Sequence, residues 1–216
     1  MKGNFKYLLI RQDHYTLHRP IRHRFRRRQI FSKGIHDLWQ ADLVDIQSFV
    51  LNNDGVKYLL TCIDTFSKYD WVRPLKNKSG LCVKEALKSI LIEKVPLYLQ
   101  TNIGTEFKNT LFQGQLTECK ITFYTSENDD INAAIVERFN RALRTRMYRY
   151  LGTLRIQKLS ICRCVTRPGA LVQPCCHSSI GMSPASVNAK NERLVWHNYF
   201  TNTRKTQNGS STSVNK

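Results

Sequence analysis

Short apolar runs and longer amphipathic stretches alternate between residues 38 and 150. The short runs are rich in β-branched, Leu and aromatic residues, and polar or Gly-containing segments bound them, which is typical of buried strands. They predict five strands, at residues 39–49, 56–64, 68–75, 96–101 and 120–125. The first two are joined by Asn-Asn-Asp-Gly at 52–55, which favours a tight hairpin turn because Asn and Gly tolerate a positive φ.

Amphipathic stretches predict helices between and after these strands. Ser79 is placed to cap a helix that runs to about Lys94, and a second helix is predicted from Thr105 to about Glu118. A third begins near Ala134. Its apolar stripe recurs at steps of three and four, at Val136, Phe139, Leu143, Met147 and Tyr150. This element order predicts an α/β fold in which a mixed five-stranded sheet has helices on both faces.

The flanking segments have a different composition. Residues 1–37 form a basic arm, and residues 151–177 cluster Cys, Arg and Pro without a helical or strand period. Residues 178–200 again have the composition of a folded segment, and Ser183-Pro184 is placed to begin a helix there. The polar tail 201–216 is predicted to be disordered. The predicted division is therefore an arm (1–37), a core (38–150), an irregular C-terminal extension (151–200) and a tail (201–216).

Charge is segregated along the chain, whose formal net charge is +18. Residues 1–38 carry ten basic and two acidic side chains, and residues 138–167 carry nine basic and no acidic ones. Residues 39–137 have a net charge of −3. Basic segments around an acidic centre favour a nucleic-acid partner, because neutralising phosphates releases counterions. A solvated basic surface or a ribosome-like protein without chemistry is the alternative.

The seven cysteines are an odd number without a disulfide-like spacing, which predicts reduced thiols and an intracellular, nuclear or cytoplasmic, protein. No stretch approaches the roughly 18 apolar residues of a membrane helix, so no membrane partner is expected, and no small-molecule cofactor either. A zinc site is an alternative use of the late cysteines. Its candidate ligands match no common zinc spacing: Cys162, Cys164, Cys175, Cys176 and His177.

Three positions are candidates for binding a divalent metal ion. Asp42 lies inside an apolar strand, where a carboxylate is costly without a partner, Asn102 follows the fourth strand, and Glu137 lies in the first turn of the last helix. Phosphoryl transfer on DNA uses oxygen-ligated ions of this kind. A single buried Asp with a structural hydrogen bond is the alternative that spacing alone leaves open.

Four blocks of sequence carry a family resemblance: WQADL (39–43), IDTFSKY (63–69), LQTNIGTEF (99–107) and IVERFNRAL (135–143). In this order they resemble the catalytic core of retroviral-type integrases, most closely those of Polinton or Maverick transposons. The resemblance covers about residues 12–150 and, more patchily, 177–188 and 192–200. It implies a ribonuclease-H-like fold that uses Mg²⁺ or Mn²⁺ to cut DNA ends and join them to target DNA.

The resemblance assigns catalytic, metal-binding positions. Asp42 falls on the first catalytic Asp and Glu137 on the catalytic Glu. Asn102 occupies the position of the second Asp, and the 34 residues between it and Glu137 are within one residue of the usual spacing. An amide offers one neutral oxygen and an NH₂ group that repels cations. The expected function is therefore a mobile-element DNA recombinase impaired by Asn102, and the alternative is an inactive nucleic-acid-binding copy. Glu106 is the candidate replacement ligand.

A homo-oligomer is also compatible with the sequence. Two groups of basic residues are expected to contact DNA. They comprise the arm residues Arg22, Arg24, Arg26, Arg27 and Arg28, and the helical residues Arg138, Arg141 and Arg144. The arm would hold the backbone without reading bases, and it would equally suit nuclear import. Arg146 and Arg149 fit a solvated helix face as well as a DNA contact. Residues 151–177 depart from the family pattern, as a shifted reading frame or a mispredicted exon would.

Overall fold

The structure is a computed structural model that describes residues 30, 32–102, 104–125, 133–153 and 176–208. Most of the predicted basic arm and most of the stretch 151–177 therefore lie outside the described residues. The part of the tail that begins at residue 209 also lies outside them.

Five strands form one mixed sheet in the order β3-β2-β1-β4-β5. The strands are β1 (Leu38–Asp45), β2 (Tyr58–Asp64), β3 (Asp70–Leu75), β4 (Tyr98–Thr101) and β5 (Thr122–Thr125). β1, β2 and β3 pair antiparallel as successive hairpins, whereas β4 and β5 run parallel to β1 and to each other. The predicted mixed five-stranded sheet is thereby confirmed.

Four α-helices accompany the sheet in the described part of the chain: α1 (Gly80–Leu91), α2 (Thr110–Glu118), α3 (Ala134–Thr153) and α4 (Glu192–Asn208). Short 3-10 helices occupy Gln47–Asn52 and Pro184–Ser186. One face of the sheet packs against α1 and α2, and the other packs against α3. The prediction of helices on both faces is confirmed.

Strand alternation explains the two cores. In β1, Trp39 and Ala41 point into the core under α1 and α2, while Val44 points into the core under α3. The first core has the larger apolar cluster, with Trp39 and Trp71 in ring contact at 4.2 Å between centroids. The second is closed by the predicted stripe of α3, whose residues Val136, Phe139, Leu143 and Met147 are all buried.

The C-terminal segment packs against the chain that enters β1. A third apolar cluster joins Phe66, from the β2–β3 turn, to Ile180 and Val195. The Glu192 carboxylate accepts a hydrogen bond from the Ile35 amide at 3.0 Å, and the Trp196 indole donates to the Lys33 carbonyl at 3.0 Å. Helix α4 is thus anchored at its N-terminal end on the sheet's entry segment.

Several element boundaries differ from the predicted ones for local reasons. β1 ends at Asp45 rather than 49, because the Asp45 carboxylate accepts from the Gln47 amide and a 3-10 turn begins there. The predicted hairpin turn is present, with φ of 52° at Asp54 and 77° at Gly55. α2 begins at Thr110, five residues after the predicted start, because the Asn109 side chain caps the Leu111 amide at 2.8 Å.

The C-terminal boundaries also differ. Ser183-Pro184 starts only the three-residue 3-10 helix Pro184–Ser186. The longer helix begins at Glu192 and continues to Asn208, through residues 201–208 of the predicted disordered tail.

Candidate active site

Asp42 is held from two sides. β1 alternation directs its side chain to the face that α3 covers. Its Oδ1 accepts a hydrogen bond from the Leu43 amide at 2.8 Å, and its Oδ2 accepts from Nδ2 of Asn140 on α3 at 2.8 Å. The hydroxyl of Thr61 on β2 donates to the Asp42 carbonyl at 3.1 Å. The carboxylate is therefore fixed in orientation before anything binds to it.

The environment raises the pKa of Asp42 above its ordinary value. Burial is the main cause, and the nearby Glu137 carboxylate adds to it. The hydrogen bonds from Leu43 and Asn140 and the positive charge of Arg144 act in the opposite direction. Because burial and a like-charged neighbour both disfavour the ionised carboxylate, a bound cation beside Asp42 would be favourable.

Asp42 and Glu137 line one open cleft of about 330 Å³, which we call the acidic cleft. Its remaining lining residues all come from α3: Asn140, Arg141, Arg144, Thr145 and Tyr148. Helical spacing explains this set, because residues three, four, seven, eight and eleven positions after Glu137 lie on its side of the helix. Two carboxylates and two guanidinium groups thus share one surface.

Helix α3 is held in place by a strand side chain. The carbonyl oxygen of the buried Gln40 side chain accepts hydrogen bonds from the Ile135 and Val136 amides, each at 3.1 Å. The Gln40 amide group donates to Gln100 Oε1 on β4 at 2.8 Å. Gln40 therefore satisfies two of the N-terminal N–H groups that a helix leaves open, and it sets the position of Glu137, the next residue of the helix.

Asn102 directly follows β4 and is half-buried. Its carbonyl accepts from the Gly104 amide at 2.9 Å, so the chain turns at once. Its side-chain Oδ1 lies 3.5 Å from the Ala133 amide, at the start of α3. Asn102 does not line the acidic cleft. The structure therefore brings Asp42 and Glu137 together on one surface and places Asn102 beside the N-terminus of the helix that carries Glu137.

Glu106 does not complete a three-carboxylate site. A Cβ built on Gly104 would lie 2.7 Å from the Glu106 carboxyl carbon, so this side chain folds back over Gly104. Among the described residues, no three His, Cys, Asp or Glu side chains are grouped to hold a metal ion.

The donor set fits one divalent cation better than two. Asp42 and Glu137 supply carboxylate oxygens, and each Asp42 oxygen keeps a lone pair besides its one hydrogen bond. Hard ions such as Mg²⁺ prefer such oxygens. A second ion would need a third carboxylate for charge balance, and the position at Asn102 offers a neutral amide instead.

The predicted basic residues divide into three groups. Arg141 and Arg144 line the acidic cleft. Arg138 is exposed and does not line it, and its positive charge instead lowers the pKa of Lys68 and His177, after burial and other causes. The arm residues, Arg22, Arg24, Arg26, Arg27 and Arg28, lie outside the described part of the chain. Arg146 and Arg149 are not among the residues that line the cleft.

Two residues that sequence reasoning missed shape the site. Asn140 lies three positions after Glu137 and orients Asp42, and Gln40 lies two positions before Asp42 and anchors α3. The sequence contained a signal for both Gln40 and Asn140. An amide in an apolar strand is as unusual as an acid there, and a polar residue inside the apolar stripe of α3 needs a buried partner.

The late Cys and His residues are only partly described. Cys176 is a free, exposed thiol, and Nδ1 of His177 accepts a hydrogen bond from the Ser179 amide at 3.3 Å. Burial lowers the pKa of His177, and the charges of Lys68 and Arg138 lower it further. Cys162, Cys164 and Cys175 lie outside the described residues, so the zinc alternative stays a prediction.

Solved structures similar to this chain are retroviral integrase catalytic cores. The magnesium complex of the catalytic core domain of HTLV-2 integrase, in its trimeric form, matches 73% of this chain and 99% of its own, with a TM-score of 0.58 and 21% identity. The intasome of simian T-cell lymphotropic virus in complex with the PP2A regulatory subunit B56 gamma matches 76% of this chain and 58% of its own, with a TM-score of 0.64 and 18% identity. The protein has an integrase-core fold. This confirms the predicted ribonuclease-H-like fold and the resemblance on which it rested.

Two further comparisons show how far the similarity of this integrase-type core to known proteins extends. The catalytic core of BIV integrase covers 80% of this chain with a TM-score of 0.52 and 16% identity. At identities this low the structural likeness shows the fold alone. No protein-family model matches the chain.

One sequence relative points to a mobile element. The Caenorhabditis elegans transposon-derived protein F54H12.3 is 38% identical over 102 residues, which are 46% of this chain and 35% of that protein. The matched part of this integrase-type core thus spans about a third of its relative. No helix in the described part of the chain is long and apolar enough to span a bilayer.

Proposed function

We propose that this protein is a mobile-element integrase-type recombinase in which polynucleotidyl transfer on DNA is impaired by Asn102. The observation that carries this proposal is the acidic cleft, where Asp42 and Glu137 face the same space as Arg141 and Arg144 on an integrase-core fold. The transposon-derived relative supports the mobile-element origin.

The cleft residues have distinct roles in this proposal. Arg141 and Arg144 bind the phosphates of a DNA strand, since guanidinium groups pair well with phosphate oxygens. Asp42 and Glu137 are the residues that would hold Mg²⁺ or Mn²⁺, which would supply Lewis-acid stabilisation of charge on the phosphate. Asn140 keeps the Asp42 carboxylate in one orientation through the 2.8 Å hydrogen bond.

Magnesium is supported by one comparison, because the similar HTLV-2 core was solved in complex with magnesium. The residues of this chain fit that ion class only in part. Two carboxylates suit one cation, whereas the amide at 102 presents a donor NH₂ group that disfavours a nearby cation. We therefore infer that occupancy by a second ion is weak, and that strand transfer falls by several orders of magnitude relative to a three-carboxylate site.

The decisive experiment compares this chain with its Asn102→Asp variant in strand transfer on a labelled duplex with Mn²⁺. Asp keeps an oxygen that can face the Ala133 amide, so α3 keeps its anchor while a third carboxylate is added. We expect transfer only in the variant. The matched control is Asn102→Asp combined with Glu137→Gln, which restores one acid and removes another. Equal, robust transfer by the parent and the variant would refute the impairment.

The alternative function is nucleic-acid binding without catalysis, either alone or paired with active subunits. The neutral side chain at 102 favours it, whereas the retained Asp42 and Glu137 favour residual chemistry. Thermal stability with and without Mn²⁺ distinguishes the two. A competent site should shift the melting temperature in the parent, and the shift should disappear in Glu137→Gln; a vacated site shows neither effect.

DNA binding through α3 has its own test in the salt dependence of affinity. Each phosphate contact contributes about one unit to the slope of log affinity against log salt. We expect Arg141→Gln and Arg144→Gln each to reduce that slope by about one. Arg149→Gln, outside the cleft, is the control and should change it less.

Assembly and context belong to the same proposal. The HTLV-2 core was solved in dimeric and trimeric forms and the simian virus protein in an intasome, which support a homo-oligomer that acts on DNA. Light scattering of the purified chain tests this. A nuclear or cytoplasmic location stays a prediction. So does the division of the chain into an arm (1–37), a core (38–150), a C-terminal part of the core (151–200) and a tail (201–216).

A further inference from the structure

A second pocket of about 280 Å³ adjoins the acidic cleft, and we call it the aromatic pocket. Its lining residues come from the end of β1, the 3-10 helix that follows, and α3: Asp45, Ile46, Phe49, Arg144, Met147 and Tyr148. Arg144 and Tyr148 also line the acidic cleft, so they form the wall between the two. A group bound in the cleft beside Arg144 and Tyr148 therefore lies next to this pocket.

Arg144 acts on both sides of this wall. Its positive charge is felt by Asp42 in the cleft and by Asp45 at the pocket, and at each carboxyl it works to lower the pKa. At Asp42 burial outweighs this effect, whereas Asp45 is exposed and its pKa is lowered, chiefly by the hydrogen bond from the Gln47 amide. Because Arg144 lines both the cleft and the pocket, it is placed to hold a phosphate at the boundary between them.

The walls of the aromatic pocket differ in chemistry from those of the acidic cleft. Ile46 and Met147 are buried and form an apolar floor. Phe49 and Tyr148 meet edge to face, with ring centroids 5.3 Å apart and planes at 65°. Tyr148 is 59% exposed, so its ring is available to a ligand. Apart from Arg144 the side chains offer little to a phosphate, while two aromatic rings suit a flat group with apolar faces.

We propose that the aromatic pocket receives one unpaired nucleobase of the strand whose phosphate lies in the acidic cleft. This inference rests on the proposed function, because it needs DNA in the cleft. The volume lies just below the range of about 300–1,000 Å³ typical of whole-ligand sites, which suits a single base. Bases stack on aromatic side chains whatever their identity, so the pocket selects an unpaired base rather than a sequence.

The Asp45 side chain keeps the pocket wall rigid. Its Oδ1 accepts from the Gln47 amide at 2.9 Å, its Oδ2 accepts from Gln47 Nε2 at 2.8 Å, and the same Nε2 donates to the Tyr58 hydroxyl at 2.9 Å. These bonds tie the 3-10 helix that carries Phe49 to β1 and β2. A pocket wall fixed in this way pays little ordering cost when a base enters.

The experiment compares two duplexes of equal sequence, one blunt and one with a single unpaired terminal nucleotide bearing 2-aminopurine. Stacking of that base quenches its fluorescence, and a titration gives the affinity of each duplex. We expect the parent to bind the unpaired form about ten-fold more tightly, as one stacked base allows, with quenching on binding. Tyr148→Leu and Phe49→Leu should lose the quenching and most of the preference, whereas Tyr148→Phe should keep both.

The outcomes separate this inference from the proposed function. If neither duplex binds, and Arg141→Gln changes nothing, the proposed function fails and this inference falls with it. If both duplexes bind equally and Phe49→Leu leaves the fluorescence unchanged, the DNA cleft stands and the base pocket is refuted. A change in oligomeric state in Phe49→Leu with unaltered DNA binding would assign the pocket to a side chain of a second copy, and would likewise overturn the proposal. Melting curves of each variant confirm that it folds.

Discussion

The two faces of the sheet support their helices by different means. Helices α1 and α2 rest on an apolar core and cap themselves, since Ser79 accepts from the Cys82 amide and Asn109 from the Leu111 amide. Helix α3 has Ala133 before its first residue, and its free N–H groups are satisfied by Gln40 on β1, with Asn102 facing the Ala133 amide. Both faces bury apolar residues, but α1 and α2 are capped by residues of their own segments, whereas the N-terminus of α3 is held by side chains from strands.

This difference explains where function lies. Helix α1 is also bonded to a strand, since Arg73 Nε on β3 donates to Ser89 Oγ at 3.0 Å, but this contact lies in its last turn and not at its N-terminus. A helix whose N-terminus is bonded to a strand side chain keeps a fixed register with that strand. Since Glu137 lies within a turn of the Gln40 contacts and Asp42 is two residues from Gln40, one amide ties both carboxylates to the same frame.

The largest predicted effect tests the apolar face. Phe112 on α2 is fully buried in the first core, so Phe112→Ala should lower the free energy of unfolding by about 3–5 kcal/mol. Urea unfolding measures this. Leu111→Ala is the matched control, because Leu111 is the neighbouring residue, is 46% exposed, and should cost about 0.5 kcal/mol or less. Comparable losses in both variants would contradict the assignment of stability to burial here.

The next effect tests the polar face. Gln40→Leu leaves the Ile135 and Val136 amides without their acceptor in a buried place, which should cost about 2–4 kcal/mol. Gln40→Glu is the control, since a carboxylate can accept from both amides and suits a helix N-terminus, and it loses only the hydrogen bond that Gln40 donates to Gln100. Unfolding should show Gln40→Glu much closer to the parent than Gln40→Leu. If Leu is tolerated as well as Glu, the amide does not anchor α3.

A third prediction concerns pH and Lys68, whose amine is buried at the end of the β2–β3 turn. Burial lowers the pKa of Lys68 from its ordinary 10.5 to about 8, although Asp64 opposes this. Between these values the unfolded chain binds more protons than the folded one, so the free energy of unfolding should rise as pH increases from 8 to 10.5. Below pH 8 the amine is protonated in both states, and this contribution to the pH dependence vanishes.

Lys68→Met isolates that contribution. Met keeps a long side chain at the same backbone position, where φ is 63°, but it cannot be protonated. Unfolding of parent and variant over this pH range should show the rise only in the parent, by a few kcal/mol at most. Parallel curves would show that Lys68 titrates normally.

The smallest predicted effect concerns the local caps. Asn109→Ala removes the acceptor for the Leu111 amide and should cost about 1 kcal/mol. Asn109→Ser restores a capping oxygen and should recover most of it. Thermal melting resolves the pair. A loss as large as that of Gln40→Leu would erase the contrast between self-capped and strand-capped helices.

Much of the fold follows from local patterns. The predicted stripe of α3 is confirmed at Val136, Phe139, Leu143 and Met147, because burial repeats with the period of the helix. The start of α2 was wrong because Thr105 and Asn109 are both good capping residues, and only the turn closed by the Phe107 amide on the Gly104 carbonyl selects between them. The end of β1 was wrong because Asp45 bonds back to the Gln47 amide.

The site was less accessible to sequence reasoning. Asp42 and Glu137 were predicted to meet, and the structure places them on one cleft. Gln40 and Asn140 stand out as polar residues in apolar patterns, but their partners lie about 95 residues away, and sequence periodicity does not identify a partner at that separation. Arg138 differs from Arg141 and Arg144 by its rotation about the helix, which depends on how α3 sits on the sheet. The positions of Gln40, Asn140 and Arg138 in the site all depend on contacts between residues far apart in the chain.

The bond between β1 and α3 also orders events during synthesis of the chain. Gln40 and its neighbours leave the ribosome long before residues 135 and 136, which supply its two amide partners. Until then the carbonyl oxygen of the Gln40 side chain stays hydrated, and one face of the sheet is not covered by a helix. Packing of α3 therefore depends on contacts between residues about 95 positions apart in the chain, and contacts of such long separation form slowly. A chain interrupted before α3 would expose the apolar side chains of this sheet face, Val44, Leu59 and Ile63 among them.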